Sequence, residues 1–192
     1  FITGATGSIG SAIARLLYES GVDVVLGYMQ ATDTANEILS SFGTDNNCIA
    51  IRCDVSNRTS VVSAFKAIHD KYGKIDYLVN NAAYTEDVPI ENIYNINPSI
   101  VDKILDVNIK GALWCCLEAL QYMTNDHKVE VESTSENSVV NICSNSIKTN
   151  NASNIIYISS KAALQSLTES LALNYGKYAR FNAVAPGLIS SN

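Results

Sequence analysis

The amino-acid sequence predicts a doubly wound α/β domain, in which a parallel β-sheet carries helices on both faces. Short apolar, β-branched segments alternate with longer amphipathic segments along the chain, as in repeated strand–helix–strand units. The strand-like segments are almost continuously apolar, as expected for strands covered on both faces. Neither an internal repeat nor a linker interrupts the 192 residues. We therefore expect a single domain over residues 1–192 with a sizeable core.

An extended stub at Phe1–Ile2 begins the predicted sheet. The strands that follow are predicted at Val22–Tyr28, Cys48–Cys53, Ile75–Asn80, Ser138–Cys143 and Arg180–Ala185. The stub is shorter than the about five residues of an ordinary strand. We therefore expect the first strand, and any targeting segment, to begin before Phe1. The end at Asn192 also looks like a stop within the fold, so we expect a domain truncated at both ends.

Helices are predicted between these strands, at Ser8–Ser20, Thr32–Phe42, Asn57–Tyr72, Pro98–Met123 and Ile155–Tyr175. Asn97 and Pro98 are types favoured at the N-cap and at the first helical position. Two segments break the alternation and are predicted to be surface loops, at Tyr84–Asn97 and Asn125–Asn137. The first lies near the carboxyl ends of the strands, where such sheets bind ligands, so part of it is expected to flank a substrate.

The composition argues against several classes of partner. A net charge of −6 gives no electrostatic attraction to nucleic acid or to an anionic membrane. No apolar run approaches the roughly 18 residues of a membrane span. Two distant histidines argue against a zinc site. Five cysteines without CxxC spacing favour buried reduced thiols, so we expect a cytoplasmic protein that acts on a small molecule without a metal.

A glycine-rich turn at Thr3–Gly10 separates the stub from the first helix. Glycines permit a tight turn and the close approach of backbone to a pyrophosphate, and the following helix presents free N–H groups and the positive end of its dipole. A purely structural turn is the alternative, but a strand before and a helix after are the context that a dinucleotide site requires. The expected contacts come from Gly4, Thr6, Gly7, Ser8, Ile9 and Gly10.

The next strand bears on the choice between NAD and NADP. A carboxylate about 20 residues after the turn often binds the ribose 2′-hydroxyl of NAD, whereas Val25–Gln30 contains no acid. The same segment contains no arginine or lysine for a 2′-phosphate. The sequence therefore favours NADP and leaves NAD open.

Further motifs follow the turn in a fixed order. They are Asp54-Val55, Asn80-Asn81-Ala82-Ala83, Val107-Asn108, Ser144 placed 13 residues before Tyr157, the YxxSK segment at Tyr157–Leu164, and Asn182–Gly187. With this set the chain resembles the short-chain dehydrogenase/reductase family from Thr3 to Ser191. The later motifs are typical of its compact reductase branch, which includes 3-oxoacyl-acyl-carrier-protein reductases. The turn departs from the commonest pattern, since Ser8 replaces the middle glycine and gives the TGxxGxxG spacing usual in the nucleotide-sugar branch.

The resemblance implies a Rossmann-type fold, an NAD(P)-dependent oxidoreductase, and a catalytic set of Asn108, Ser144, Tyr157 and Lys161. Asn108 would support a proton relay to Lys161 through water, or else only cap or kink its helix. The resemblance also implies further cofactor contacts from Tyr28, Asp54, Val55, Asn80, Ala82, Tyr157, Lys161, Pro186, Gly187 and Ile189.

The residue types suit carbonyl reduction, which needs a hydride on carbon and a proton on oxygen. Tyr157 and Lys161 are four residues apart in a predicted helix and therefore share a face. A nearby ammonium stabilises tyrosinate, so we expect Lys161 to lower the pKa of Tyr157 from its usual value near 10 and suit it to general acid–base catalysis. Ser144 would hydrogen-bond the carbonyl oxygen as charge develops, with Ser146 as the alternative.

Two other functions are compatible with the sequence: a non-catalytic NADP-binding redox sensor, and a nucleotide-sugar epimerase or dehydratase. The complete Ser144, Tyr157 and Lys161 set argues against the sensor, and the Asn80–Ala83 segment argues against the sugar enzyme. The resemblance also implies a homo-oligomer, a dimer or tetramer, paired through the helices Pro98–Met123 and Ile155–Tyr175. The leucines of these helices could equally belong to the monomer core.

Overall fold

The computed structural model describes residues 1–43, 47–88, 92, 94, 96–125 and 136–189, with the side chains at 124 and 125 excepted. Within these ranges the chain folds as a parallel sheet with helices on both faces. The predicted fold class is confirmed.

The strands of the described residues are β1 (Val24–Tyr28), β2 (Cys48–Arg52), β3 (Tyr77–Asn80), β4 (Ser138–Ile142) and β5 (Arg180–Val184). β1 pairs with β2, β3 with β4, and β4 with β5, always in parallel. Ile2 forms bridges to both Leu26 and Val79, so the stub lies between β1 and β3. The strand order reverses at this stub, and in doubly wound sheets a ligand crevice opens at such a point, beyond the carboxyl ends of the strands.

The described helices are α1 (Ser8–Glu19), α2 (Thr32–Ser41), α3 (Arg58–Tyr72), α4 (Pro98–Leu105), a π-helical segment (Asp106–Gly111), α5 (Ala112–Asn125), α6 (Ser146–Thr149) and α7 (Ile155–Tyr175). One core cluster, which includes Leu26 and Val79, packs against α1 and α2. Another, which includes Phe65 and Leu78, packs against α3, α5 and α7. Leu78 and Val79 are consecutive in β3 and therefore point to opposite faces.

The prediction of one continuous helix over Pro98–Met123 is wrong. The segment is divided by the π-helical turn at Asp106–Gly111, a feature that often marks functional sites. Its start is as predicted, because the Asn97 side chain accepts a hydrogen bond from the N–H of Ser99 and Pro98 occupies the first turn. The short helix α6 has no counterpart among the predicted elements.

The prediction that most strands are covered on both faces holds in the centre of the sheet and fails at its margins. β1 is almost wholly buried, whereas β2 is half-buried and most of β5 is exposed. These two strands lie at the ends of the strand order in the described part of the chain, where fewer neighbours cover them. Of the predicted surface loops, Tyr84–Asn97 is described only in part, and Asn125–Asn137 lies mostly outside the described residues.

The cysteines are predicted to be buried, unpaired thiols. All five cysteines lie in the described ranges, none is paired, and every one except Cys48 is buried. No helix in the described ranges is both long and apolar enough to cross a membrane.

Candidate active site

The glycine turn is closed by contacts too tight for side chains. Gly4 has a φ of +62°, and a Cβ there would lie 2.8 Å from the Cα of Ala82. At Gly10 a Cβ would lie 2.5 Å from the carbonyl oxygen of Gly4 and 2.8 Å from the Cα of Ala5. Gly7 is different, since its nearest neighbour would be the same Gly4 oxygen at 3.5 Å. Gly4 and Gly10 therefore shape the turn, while Gly7 leaves open space above it.

Asn81 fastens this turn to the end of β3. Its Nδ2 donates to the carbonyl oxygens of Thr3, at 3.1 Å, and of Gly4, at 2.9 Å. In the reverse direction, the Thr3 hydroxyl oxygen accepts from the backbone N–H groups of Asn81 and Ala82. The turn is thus held by a residue 77 or 78 positions away in the chain.

A cleft of about 890 Å³ opens above the turn. The N-terminus of α1 lies at this cleft, and its N-cap residue, Gly7, makes no side-chain capping bond. Backbone N–H groups at an uncapped helix start, beside an open glycine, suit a pyrophosphate. The residues present therefore fit a dinucleotide.

Much of the predicted cofactor set lines this cleft: Gly4, Thr6, Gly7, Ser8, Ile9, Asp54, Val55, Ala82 and Ile189. The lining also includes residues that the sequence did not single out: Met29, Gln30, Ala31, Cys53, Ser56, Asn81, Ala83, Tyr84, Lys103 and Val107. Asn81, Ala83 and Val107 belong to motifs already recognised, so their position in those motifs was a usable signal.

Other predicted cofactor contacts do not line the cleft: Gly10, Tyr28, Asn80, Tyr157, Lys161, Pro186 and Gly187. The side chain of Asn80 is used inside the core. Its Nδ2 donates to the Asn141 side-chain oxygen at 2.9 Å in the core and also reaches the Ala112 carbonyl. Asn80 is the last residue of β3, so its side chain points opposite to that of Val79 and stays in the core. Asn81, just beyond the strand, lines the cleft instead.

Tyr157 lies in the first turn of α7. The N-cap residue Asn154 accepts a hydrogen bond from the Tyr157 N–H at 2.7 Å and donates to the carbonyl of Glu86 at 2.7 Å. The phenol lies near Ser144, whose hydroxyl affects the pKa of the tyrosine. Ser144 lies two residues after the end of β4. The structure thus brings together the predicted Ser144 and Tyr157, with the tyrosine at the positive end of a helix dipole.

Burial raises the pKa of Tyr157, although the nearby Ser144 hydroxyl opposes that effect. This contradicts the expectation that Lys161 lowers it. The lysine Nζ lies 5.7 Å from the centre of the Tyr157 ring and donates to the Ile142 carbonyl at 2.7 Å. The ammonium thus faces the Tyr157 ring while it is hydrogen-bonded to the backbone at Ile142.

Lys161 itself is buried, with 2% of its surface exposed. Burial disfavours the ammonium and lowers the pKa of Lys161 from 10.5 to about 8. The lysine is therefore close to its titration range at neutral pH, which ordinary surface lysines are not.

Asn108 lies in the π-helical segment, and its side chain is used for structural contacts. Its Oδ1 accepts from the Tyr84 N–H at 2.7 Å, and its Nδ2 donates to the Tyr84 carbonyl at 3.0 Å and to the Ser160 hydroxyl at 2.9 Å. Ser160 in turn donates to the Tyr157 carbonyl at 2.7 Å. Asn108 therefore joins the loop after β3 to α7.

Ser146 does not occupy the place of Ser144. Its hydroxyl is buried and has no hydrogen-bond partner among the described residues, while its backbone N–H donates to the Ser144 hydroxyl at 3.1 Å. Pro186 lies behind this turn, where its carbonyl accepts from the Asn145 N–H at 2.8 Å. The turn after β4 thus orients Ser144, and Ser146 supports it.

Similar proteins cover the whole chain. Cis-4-hydroxycyclohexanecarboxylate dehydrogenase from Sinomonas cyclohexanicum is 29% identical over 188 residues, which are 97% of this chain and 71% of that protein. The 3-oxoacyl-(acyl-carrier-protein) reductase FabG from Staphylococcus aureus is 30% identical over 195 residues, covering 100% of this chain and 74% of the reductase.

A similar solved structure is the short-chain dehydrogenase/reductase SDR:glucose/ribitol dehydrogenase from Brucella melitensis. It superposes with a TM-score of 0.86 at 25% identity, over 98% of this chain and 74% of that one. The family model for short chain dehydrogenases matches residues 1–192. This chain therefore belongs to the short-chain dehydrogenase/reductase family of oxidoreductases, which generally use NAD(P).

Proposed function

We propose that this enzyme transfers a hydride between the nicotinamide of NADP and a carbonyl or alcohol carbon, with ketones or 3-oxoacyl thioesters as substrates for reduction. One observation carries the proposal. The Tyr157 phenol lies close enough to Ser144 for that hydroxyl to affect its pKa, and the Nζ of the buried Lys161 lies 5.7 Å from the centre of the Tyr157 ring, at the same edge of the sheet as the glycine-turn cleft. NAD is the alternative cofactor.

The cleft provides the contacts for the dinucleotide. The α1 N-terminus and the Gly7 backbone would hold the pyrophosphate, Asp54 and Val55 the adenine, and Ala82 and Ile189 the nicotinamide half. When bound, the nicotinamide supplies or accepts the hydride.

Tyr157 is the proposed proton donor in reduction. Its raised pKa keeps the phenol protonated at neutral pH, ready to protonate the carbonyl oxygen. The tyrosinate left behind would be stabilised by the positive end of α7 and by the Lys161 ammonium. In the oxidation direction the phenol must first lose its proton, so oxidation is expected to accelerate as the pH rises.

Ser144, Lys161 and Asn108 would have different tasks. The Ser144 hydroxyl would donate to the carbonyl oxygen as negative charge develops. Lys161 would hold the nicotinamide ribose. Asn108 is a positioning residue, since its three hydrogen bonds fix Tyr84 and Ser160; we do not assign its side chain a proton-relay step.

We extend the proposal to a cytoplasmic homo-oligomer, a dimer or tetramer, paired through the segment from α4 to α5 and through α7. Leu164 and Leu171 lie in the monomer core, but Leu117 is 36% exposed and Leu173 is 86% exposed. Light scattering on the protein at several concentrations tests this. A monomer at every concentration would contradict the oligomer but not the reaction.

Turnover with a matched pair of tyrosine variants tests the reaction. NADPH and NADH consumption would be followed with ketones and a 3-oxoacyl thioester, for the wild type, Tyr157→Phe and Tyr175→Phe. Loss of the proton donor should reduce turnover by about 10²- to 10⁴-fold. Tyr175 is at the far end of the same helix and 43% exposed, so its variant should behave as the wild type.

The outcomes separate the alternatives. Equal turnover in both variants would exclude Tyr157 as the proton donor. Tight nucleotide binding without turnover on any substrate would instead favour the redox-sensor function. Faster consumption of NADH than of NADPH would overturn the cofactor assignment and leave the reaction in place.

A further inference from the structure

The carboxyl end of β1 lacks a cation in its own sequence, but the neighbouring strand supplies one. Arg52 is the last residue of β2 and lies opposite Tyr28 in the parallel register. Its Nε donates to the carbonyl oxygen of Met29 at 3.1 Å. The guanidinium is thus attached to the backbone just beyond β1.

This backbone is the rim of the nucleotide cleft. Met29, Gln30 and Ala31 all line the cleft. In dinucleotide folds the adenosine ribose lies at the end of the strand that follows the glycine turn, where NAD-binding proteins place their carboxylate. The guanidinium of Arg52 is therefore bonded to the backbone segment at which the ribose 2′ group is expected.

Arg52 is available for an anion. It is exposed, and none of the ion pairs found among the described residues involves it. The one carboxylate in the cleft lining belongs to Asp54, and its Oδ1 already accepts from the Ser56 N–H at 3.0 Å and the Ser56 hydroxyl at 2.6 Å. No described carboxylate thus neutralises the arginine.

A second cation, Lys103 of α4, lines the cleft. Its Nζ lies 3.9 Å from the centre of the Tyr84 ring. This lysine therefore already makes a cation–π contact. It provides a rival that experiment can separate.

We propose that Arg52 binds the 2′-phosphate of NADP and thereby makes the enzyme prefer NADP to NAD. The inference rests on the proposed function, because it presupposes that the cleft binds a nicotinamide dinucleotide. With Nε anchored to the Met29 carbonyl, the terminal N–H groups remain to make paired bonds to phosphate oxygens, which a planar guanidinium does well. The preference for NADP thus depends on the pairing of β1 with β2, which brings Arg52 to the end of β1.

Equilibrium binding of nucleotide fragments tests the proposal without turnover. Calorimetry would compare adenosine 2′,5′-bisphosphate with adenosine 5′-phosphate on the wild type, Arg52→Gln, Arg52→Lys and Arg180→Gln. Arg52→Gln should weaken the bisphosphate by about tenfold, the effect of one exposed charge-assisted hydrogen bond, and leave the monophosphate unchanged. Arg52→Lys should fall between, since it keeps the charge and loses the Nε anchor. Arg180, exposed at the start of β5, is the matched control and should change neither.

Several results would overturn the inference. The first is that the wild type binds both fragments with equal affinity. The second is that Arg52→Gln weakens binding of both fragments equally, or of neither. The third is that Lys103→Gln removes the preference for the bisphosphate and Arg52→Gln does not. If the wild type binds neither fragment nor NADPH, the proposed function fails instead.

The salt dependence of binding provides a measurement that needs no variant. The wild-type preference for the bisphosphate should shrink as ionic strength rises, because exposed charge pairs are screened. A preference that did not change with salt would contradict the role of Arg52.

Discussion

The glycine turn and the pocket around Tyr157 and Lys161 lie at the same edge of the sheet but are constrained in opposite ways. The turn is constrained by space, since a Cβ at Gly10 would lie within 2.8 Å of backbone atoms of Gly4 and Ala5. The pocket is constrained by charge and hydrogen bonding, since it buries Lys161 against the Ile142 carbonyl. A substitution in the turn should therefore cost stability first, whereas one in the pocket should remove chemistry and can even relieve a cost of folding.

The largest expected effect concerns Lys161. Its pKa is about 8 in the folded protein and 10.5 for an ordinary lysine, so between these values the unfolded chain binds more protons. The free energy of unfolding should therefore rise with pH in this interval, by about 3 kcal/mol in all at 1.36 kcal/mol per pKa unit. Urea unfolding across pH 8 to 10.5 would measure this rise in the wild type, and Lys161→Met should lack it.

Groups other than Lys161 titrate in both the wild type and Lys161→Met. The contribution of Lys161 is therefore the difference between their two curves of the free energy of unfolding against pH. Parallel curves for the wild type and Lys161→Met would show that the lysine is not held at a lowered pKa. The pocket would then be no more strained by charge than the turn is.

The next effect is steric and compares two glycines of the turn. Gly10→Ala should destabilise the fold by about 2 kcal/mol, as overpacking against backbone does, and weaken nucleotide binding with it. Gly7→Ala meets its nearest atom at 3.5 Å and should leave the thermal midpoint almost unchanged while weakening nucleotide binding, because its methyl group would project into the cleft. Thermal unfolding and NADPH titration on both variants would show whether the loss of stability and the loss of nucleotide binding occur independently. Equal loss of stability in the two variants would contradict the steric account.

The smallest expected effect concerns two neighbouring asparagines, of which Asn81 contacts the glycine turn and Asn80 lies in the core. Asn81→Ala removes two hydrogen bonds to the turn and should lower stability by about 1 kcal/mol, with weaker nucleotide binding. Asn80→Ala removes a buried bond to Asn141 and should lower stability by a similar or larger amount with no direct effect on the cleft. If Asn80→Ala weakened nucleotide binding and Asn81→Ala did not, Asn80 and not Asn81 would be the residue that reaches the nucleotide.

Local patterns were sufficient for much of this molecule. The alternation of apolar strands and amphipathic helices predicted the sheet, because such periodicity reflects which faces are buried. The spacing of Thr3–Gly10 predicted the turn, and its position after a stub and before α1 is confirmed. Ser144 and Tyr157 were also identified from their interval of 13 residues, and the structure brings them close together.

The remaining features depend on contacts between distant segments. The sequence from Pro98 to Met123 has the pattern of one continuous helix, but a π-helical turn at Asp106–Gly111 interrupts it. In this turn Asn108 bonds to Tyr84 and Ser160, which are distant in the chain. Whether Asn80 or Asn81 faces the cleft depends on where β3 ends. The raised pKa of Tyr157 follows from burial that no local spacing reports.

The sequence by itself therefore determined the fold class, the glycine turn and the main catalytic candidates, since each is written in residues close together in the chain or in a repeated period. Only the tertiary structure decided the environment of those groups. It directs Lys161 to the Ile142 carbonyl, closes the turn with Asn81 and places Arg52 beside the end of β1. These arrangements arise from strand register and burial, which bring together residues that are far apart along the chain.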